Sequence, residues 1–460
     1  MMKLSLKWCL FTVLMVSPTA CFYPSEIAIA QIQDGRDEFN RLTREAKQLS
    51  DSGKHRASLT LYQQALKLVQ EIGNPQAEAG VLYNLGYAYE ALKQYTQAVE
   101  FYRQSLLISQ RLQDHVSTGE TLLHLGHSYY HLAQYTKALQ SYQQALPLYK
   151  RLGDRSGEGI TLSSIALVYD TQEEYAKALE WYQQALLVRR QLREQRAVGS
   201  ILSRLGQIYY NLGRYELALQ HYQSALVLYR QVGEPASEAT NLMKIGLSYF
   251  RLKQYGKALE YHQKALALAR SLGDRSREAL TLGSIGLVHF EQKNYPKALE
   301  HYQPALTLLK SVNDKHEIAI TLTNIGNIYN ELKLFPKALE FYQQALVIHQ
   351  QEGSRASQGI ALHNIGLTHY QLGDSLQAER SLYAAIAVWE SLCPGLSDEN
   401  QVALYQTQKV SYETLEQVLR TQGKLKDASD IAKRGRVRAL LEQQTPGRSH
   451  PCQTIPKTNQ

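Results

Sequence analysis

Along most of the chain apolar residues recur three and four positions apart, as in Leu82, Leu85 and Tyr89, and again in Ala98, Tyr102 and Leu106. This spacing lays an apolar stripe along one side of a helix. Two stripes separated by a few polar residues predict a helix pair, the first helix from about Ala77 to Leu92 and the second from about Thr96 to Leu112. The pair recurs every 40 residues, and a fixed period of that length marks a repeat architecture. Small residues keep the register at Ala46, Gly86, Gly126, Ala166, Gly206, Gly246, Gly286, Gly326 and Gly366. A second small series runs from Ala98 through Ala138 and Ala178 to Ala378. Both series allow paired helices to approach closely, with Tyr89 and Tyr102 filling the space beside them.

Punctuation agrees with the period. Gly213-Arg214 and Gly373-Asp374 mark turns within a pair, and Pro296 and Pro336 suit the first turn of a second helix. Gly153-Asp154 and Gly273-Asp274 mark turns between pairs, where a Gly ends one helix and an Asp caps the next. Pro147 and Pro304 fall inside second helices, where each is expected to kink the helix or cost about 3 kcal/mol. Asp37 to Gly73 reads as a degenerate first pair, so residues 37–392 hold about nine pairs. Beyond Trp389 the period fails. Cys393-Pro394-Gly395 reads as a loop, residues 396–444 as a capping segment with helices at 401–422 and 424–444, and residues 445–460 as a disordered tail.

The units from Ala77 to Leu392 follow the spaced Leu-Gly-x-x-Tyr and Ala-x-x-x-aromatic positions of the tetratricopeptide repeat family, which the chain resembles, with single departures such as Ala166, His289, His369 and Leu382. Leu82 and its equivalents stand where the family pattern has Trp, and the unit is six residues longer than the 34-residue form, like the repeats of kinesin light chains. The resemblance implies an all-α fold, a right-handed α-solenoid whose first helices line a concave groove that binds extended peptide or protein segments. Leu396–Asn400 and Ile431–Leu440 also look like the segment joining such repeats to a caspase-like CHAT domain in many cyanobacterial proteins. That domain carries a His and Cys pair, whereas here Cys452 has only His450 near it. The alternative expectation is therefore a regulatory subunit of a separately encoded protease of that kind.

Composition changes this picture little. With 31 Tyr against 8 Phe and 3 Trp, one packing role repeated many times is expected of tyrosine. The formal net charge of +8 suggests an anionic partner, but residues 401–460 carry ten basic and five acidic side chains and so supply most of it. Residues 31–400 are close to neutral, with 38 basic and 36 acidic residues. No basic stripe interleaves with stacking aromatics, so nucleic acid is not the expected partner. Met1–Lys7 is basic, Trp8–Val16 is apolar and Ala28-Ile29-Ala30 ends in small residues, the layout of a secretory signal peptide over residues 1–30 cleaved after Ala30. Lipidation at Cys21 or a retained anchor is the alternative. The expected location is periplasmic or extracellular, with no membrane span in the mature chain.

No phosphate loop or nucleophile elbow is present, so no catalytic residue and no cofactor is expected. Candidate peptide-binding positions lie on the first helices opposite the buried Leu pair: Asn84, His124, Arg204, Lys244, Asn324 and Asn364, with Ser164 and Ser284 in the same register. Asn327, Asn211 and Asn330 lie nearby. An amide can donate to and accept from a peptide backbone at once, which suits an extended ligand. Arg204 and Lys244 in adjacent pairs suit a carboxylate. Glu120, His124, His127 and His131 share one helix face, and His-x-x-His spacing can hold Zn or Ni. One straight helix rarely gives three ligands to one ion, since His124 and His131 lie roughly 10 Å apart along it. No metal site is therefore assigned from the sequence.

Overall fold

The computed structural model describes residues 26–391 and 398–443, and all regular structure among them is helical. The chain divides into two compact units between Glu194 and Gln195. The first holds α1 (Glu26–Asp51), α2 (His55–Ile72), α3 (Pro75–Ala91), α4 (Tyr95–Arg111), α5 (His115–His131), α6 (Tyr135–Leu152), α7 (Arg155–Thr171) and α8 (Tyr175–Gln191). The second begins with α9 (Gln195–Asn211), α10 (Tyr215–Gln231), α11 (Pro235–Arg251), α12 (Tyr255–Ser271), α13 (Arg275–Glu291) and α14 (Tyr295–Val312). It continues with α15 (Lys315–Glu331), α16 (Phe335–Gln351), α17 (Arg355–Gln371), α18 (Ser375–Glu390), α19 (Asp398–Thr421) and α20 (Leu425–Gln443).

Within each unit a helix packs against the one before it and the one after it. Odd-numbered helices also touch one another, α3 with α5, α5 with α7, α11 with α13 and α13 with α15. The odd helices thus form one side of each unit, and their polar positions face along it together.

The backbone repeats at half the sequence period. Most helices have 17 residues and alternate with three-residue turns, and one turn residue is left-handed every 20 residues, from Gly53 and Gly73 through Lys93, Gln113 and Ala133 to Gly373. The same two hydrogen bonds close most helices, as where Lys93 N–H donates to the Glu90 carbonyl and Gln94 N–H to the Tyr89 carbonyl, at 2.8 and 2.9 Å. This is a Schellman ending, which satisfies the last carbonyls. The expected caps are present, with Asp154 accepting from Gly157 N–H at 2.9 Å and Asp274 from Arg277 N–H at 2.8 Å.

The small residues do what the spacing implies. A Cβ added at Gly86 would lie 2.6 Å from the Tyr102 ring, and one at Gly126 would lie 2.4 Å from the Tyr142 ring. The even-helix tyrosine rests directly on the odd-helix backbone, and Tyr102, Tyr142, Tyr222, Tyr302 and Tyr342 are all buried. Neither internal proline interrupts its helix. α6 runs through Pro147 and α14 through Pro304, and both prolines lie on the exposed side, where the carbonyl each one frees can be hydrated.

The degenerate first pair corresponds to α1 and α2, with Ala46 and Ser58 buried in register. At the other end Tyr412, Leu415, Val418 and Leu419 of α19 and Ala428 and Ile431 of α20 pack on Ala378, Leu382 and Ile386 of α18. The capping segment is therefore part of the core. Most of the expected signal peptide, the 393–395 loop, and the tail with His450 and Cys452 lie outside the described residues. The expected cleavage point after Ala30 falls within α1. No described helix is long and apolar enough to cross a membrane.

Candidate functional site

The register that begins at Asn84 stays on the odd-helix side but is not uniformly available. Asn84, Asn324 and Asn364 are half-buried there. Asn327 is committed to packing, since its side-chain oxygen accepts the Tyr342 hydroxyl at 2.8 Å. Asn330 accepts from Thr368 across to α17 at 3.2 Å, and Asn211 accepts from Gln207 at 3.0 Å. Lys244 places its Nζ 5.5 Å from the centroid of the Tyr222 ring and 3.5 Å from Ser203 Oγ. Arg204 is exposed. Arg204, Lys244, Asn324 and Asn364 fall in the second unit, while Asn84 and His124 fall in the first.

Sequence periodicity did not single out the apolar strip beside the asparagines. Leu280, Ile320 and Ile360 precede Ser284, Asn324 and Asn364 by one helical turn, and Ile320 and Ile360 are exposed. The signal was present in the sequence, because the three apolar residues follow one another in this register, which in the five earlier pairs holds Gly80, Glu120, Ile160, Ser200 and Thr240.

The histidines of α5 separate into different environments. His131 stacks on Tyr95, with ring centroids 4.5 Å apart and planes within 10°. Glu120 is exposed at the start of the same face. His124 and His127 turn instead toward α3, whose Glu90 was not among the sequence candidates. His124 Nδ1 lies 3.1 Å from Glu90 Oε2, and the Tyr102 hydroxyl donates to the same oxygen at 2.7 Å. One donor atom from each of Glu90, His124 and His127 lies within 4.8 Å of the other two. Tyr83 and Tyr87 meet the His124 ring edge-on at 5.5 and 5.8 Å, and His127 meets Tyr142 at 5.7 Å. His127 Nε2 also lies 3.2 Å from Ser164 Oγ.

Burial governs the ionisation of this group. Desolvation, with His124 alongside, pushes the His127 imidazole down to about 4, so it is neutral at ordinary pH. Burial alone would raise the Glu90 carboxyl, but the bonds from His124 and Tyr102 outweigh it and hold Glu90 below the usual carboxylate value. The expected four-residue face is thus replaced by three residues from two helices. The sequence reading missed Glu90 because it followed a single helix, and the contact joins residues 34 apart.

A tetratricopeptide repeat profile matches residues 42–111, 77–151, 117–191, 197–271, 237–311 and 317–391, in the register of the helix pairs described above. The chain belongs to the tetratricopeptide repeat family. No curated protein matches it. Among solved structures it is similar to a signal transduction ATPase with a tetratricopeptide repeat sensor from Pyrococcus horikoshii, at 18% identity and a TM-score of 0.57. That match covers 76% of this chain and 52% of the other, so the chain spans about half the length of that protein. Aspartyl phosphate phosphatase F from Bacillus subtilis is similar at 16% identity and a TM-score of 0.52, covering 81% and 96% of the two chains. The quorum sensor NprR from B. thuringiensis is similar at 17% identity and a TM-score of 0.51, covering 69% and 99%. At these identities the likeness extends to the fold alone. In tetratricopeptide terms the odd helices are the first helices of each repeat and carry both candidate sites.

Proposed function

We propose that the protein is a non-enzymatic scaffold that binds an extended peptide or protein segment along the odd helices of its second unit. The observation that supports this most directly is the alignment of Asn324 and Asn364, half-buried in one register, with the exposed Ile320 and Ile360 one turn earlier. Amides beside an apolar strip suit a ligand that offers main-chain hydrogen bonds on one side and alternate apolar side chains on the other. Two of the similar structures are named as sensors, which accords with a binding role. From the character of residues 1–30 we infer that the chain acts in the periplasm or outside the cell. The finer possibility, control of a separately encoded caspase-like protease, uses the same groove and differs in the partner.

The test starts with capture from a periplasmic fraction, using residues 31–460 as bait, followed by affinity measurement with the recovered partner. Asn324→Ala combined with Asn364→Ala should weaken that affinity about tenfold, as expected for the loss of two hydrogen bonds. Ile320→Asp should weaken it further. Unchanged affinity in both variants would remove the groove assignment. Recovery of a His and Cys caspase-like protein would select the finer reading.

A further inference from the structure

We propose that Glu90, His124 and His127 form a binding site for a divalent transition-metal ion, with Zn(II) the ion that best suits the donors. Two imidazoles and one carboxylate are a recurrent ligand set for Zn(II), leaving a fourth position for water or an incoming side chain. The limitation of a single helix does not apply here. His124 and His127 are one turn apart on α5, and the third ligand comes from α3 in the preceding repeat. A tetrahedral ion with bonds of about 2.1 Å separates its donors by roughly 3.4 Å. The three donor atoms already lie within 4.8 Å of one another, with one pair at 3.1 Å, so side-chain rotation closes the remainder.

The surroundings hold these groups in place. The Tyr102 hydroxyl fixes one Glu90 oxygen at 2.7 Å, and Ser164 Oγ lies 3.2 Å from His127 Nε2. Tyr83, Tyr87 and Tyr142 restrict the two imidazole rings from the sides. Partners of this kind orient metal ligands and raise affinity. The Glu90 and His124 side chains are 18% and 23% exposed, which leaves a path for an ion from solvent. The site lies wholly in the first unit and does not depend on peptide binding in the second.

The test is titration of Zn(II) alone into the untagged full chain, followed by calorimetry and competition with a chromophoric chelator. One ion per chain is expected, with Glu90→Gln and His127→Ala each weakening binding at least tenfold. His131→Ala, on the same helix but stacked on Tyr95, should bind as the parent does. Glu90→Gln keeps an acceptor for Tyr102, so loss of binding in that variant reports the ligand and not the fold. Co(II) gives a second readout that needs no variant, since a tetrahedral nitrogen and oxygen site produces intense visible absorption. No saturable binding of Zn(II), binding that survives in both Glu90→Gln and His127→Ala, or a Co(II) spectrum of the hydrated ion would each overturn the proposal.

Discussion

His262 occupies the position held by Tyr102, Tyr142, Tyr222, Tyr302 and Tyr342 in other repeats, and it is fully buried against the Gly246 backbone. Neither of its ring nitrogens has a hydrogen-bond partner. The hydroxyls of Tyr222 and Tyr342 reach Gln207 and Asn327, fifteen residues earlier, whereas the matching residue before His262 is Leu247. Tyr302 follows Leu287 in the same way, and its hydroxyl is unpaired. Asn327 is therefore best understood as the acceptor for a buried tyrosine. Burial pushes the His262 imidazole from 6.5 down to about 4. Above 6.5 the ring is neutral in folded and unfolded chains alike. As pH falls through 6.5 the unfolded chain takes up a proton that the folded chain refuses until about 4, so stability is lost across that window, by roughly 3 kcal/mol in full. His262→Phe removes the titration without introducing a hydroxyl. Its stability advantage over the parent, measured by urea unfolding at several pH values, should widen steadily as pH drops from 6.5 toward 4. A gap independent of pH would contradict this account.

The left-handed turn residue is the recurring device at the level of elements. Gly occupies it at nine described positions, and Lys, Gln, Ala, Glu, Arg or Asn at nine others, among them Ala133 with φ of 56°. A side chain costs about 1 kcal/mol in this conformation, yet the Schellman hydrogen bonds form at both kinds of position. Nothing lies within 4 Å of a Cβ built at Gly213, so substitution there isolates the backbone cost. Ala133→Gly should raise stability by up to about 1 kcal/mol and Gly213→Ala should lower it by a similar amount, as read by thermal denaturation. Shifts of the same sign in both would refute the explanation. These turns also show why part of the fold was legible and part was not. Helix pairing, the Gly86 series and the Asp154 and Asp274 caps follow from residue type at fixed spacing. The 20-residue backbone period was hidden because half its turns carry ordinary side chains stabilised by hydrogen bonds alone. Glu90 was hidden because its partners belong to the next repeat, so no pattern along one helix could reveal it.

Within each unit contacts join a helix to its sequence neighbours and, on the odd side, to the next odd helix. Stability in such an array is close to a sum of nearest-neighbour terms, so damage stays local. In the second unit the array ends where α19 and α20 cover Ala378, Leu382 and Ile386 of α18. Polar contacts reinforce the junction: Tyr412 and Arg434 both donate to Glu390 Oε1, at 2.7 and 2.6 Å, and Lys424 pairs with Glu379 at 2.7 Å. Ser411 Oγ meets His363 Nδ1 at 2.6 Å, which ties α19 to α17 as well. Leu419 is fully buried at the centre of this cover, so Leu419→Ala should cost about 2–5 kcal/mol at the site. The loss should not spread evenly. Hydrogen exchange should accelerate by orders of magnitude in α17–α20 while α9–α12, several interfaces away in the same unit, retain parental protection. Uniform acceleration across the second unit would mean that it unfolds as one cooperative block and that the nearest-neighbour description fails.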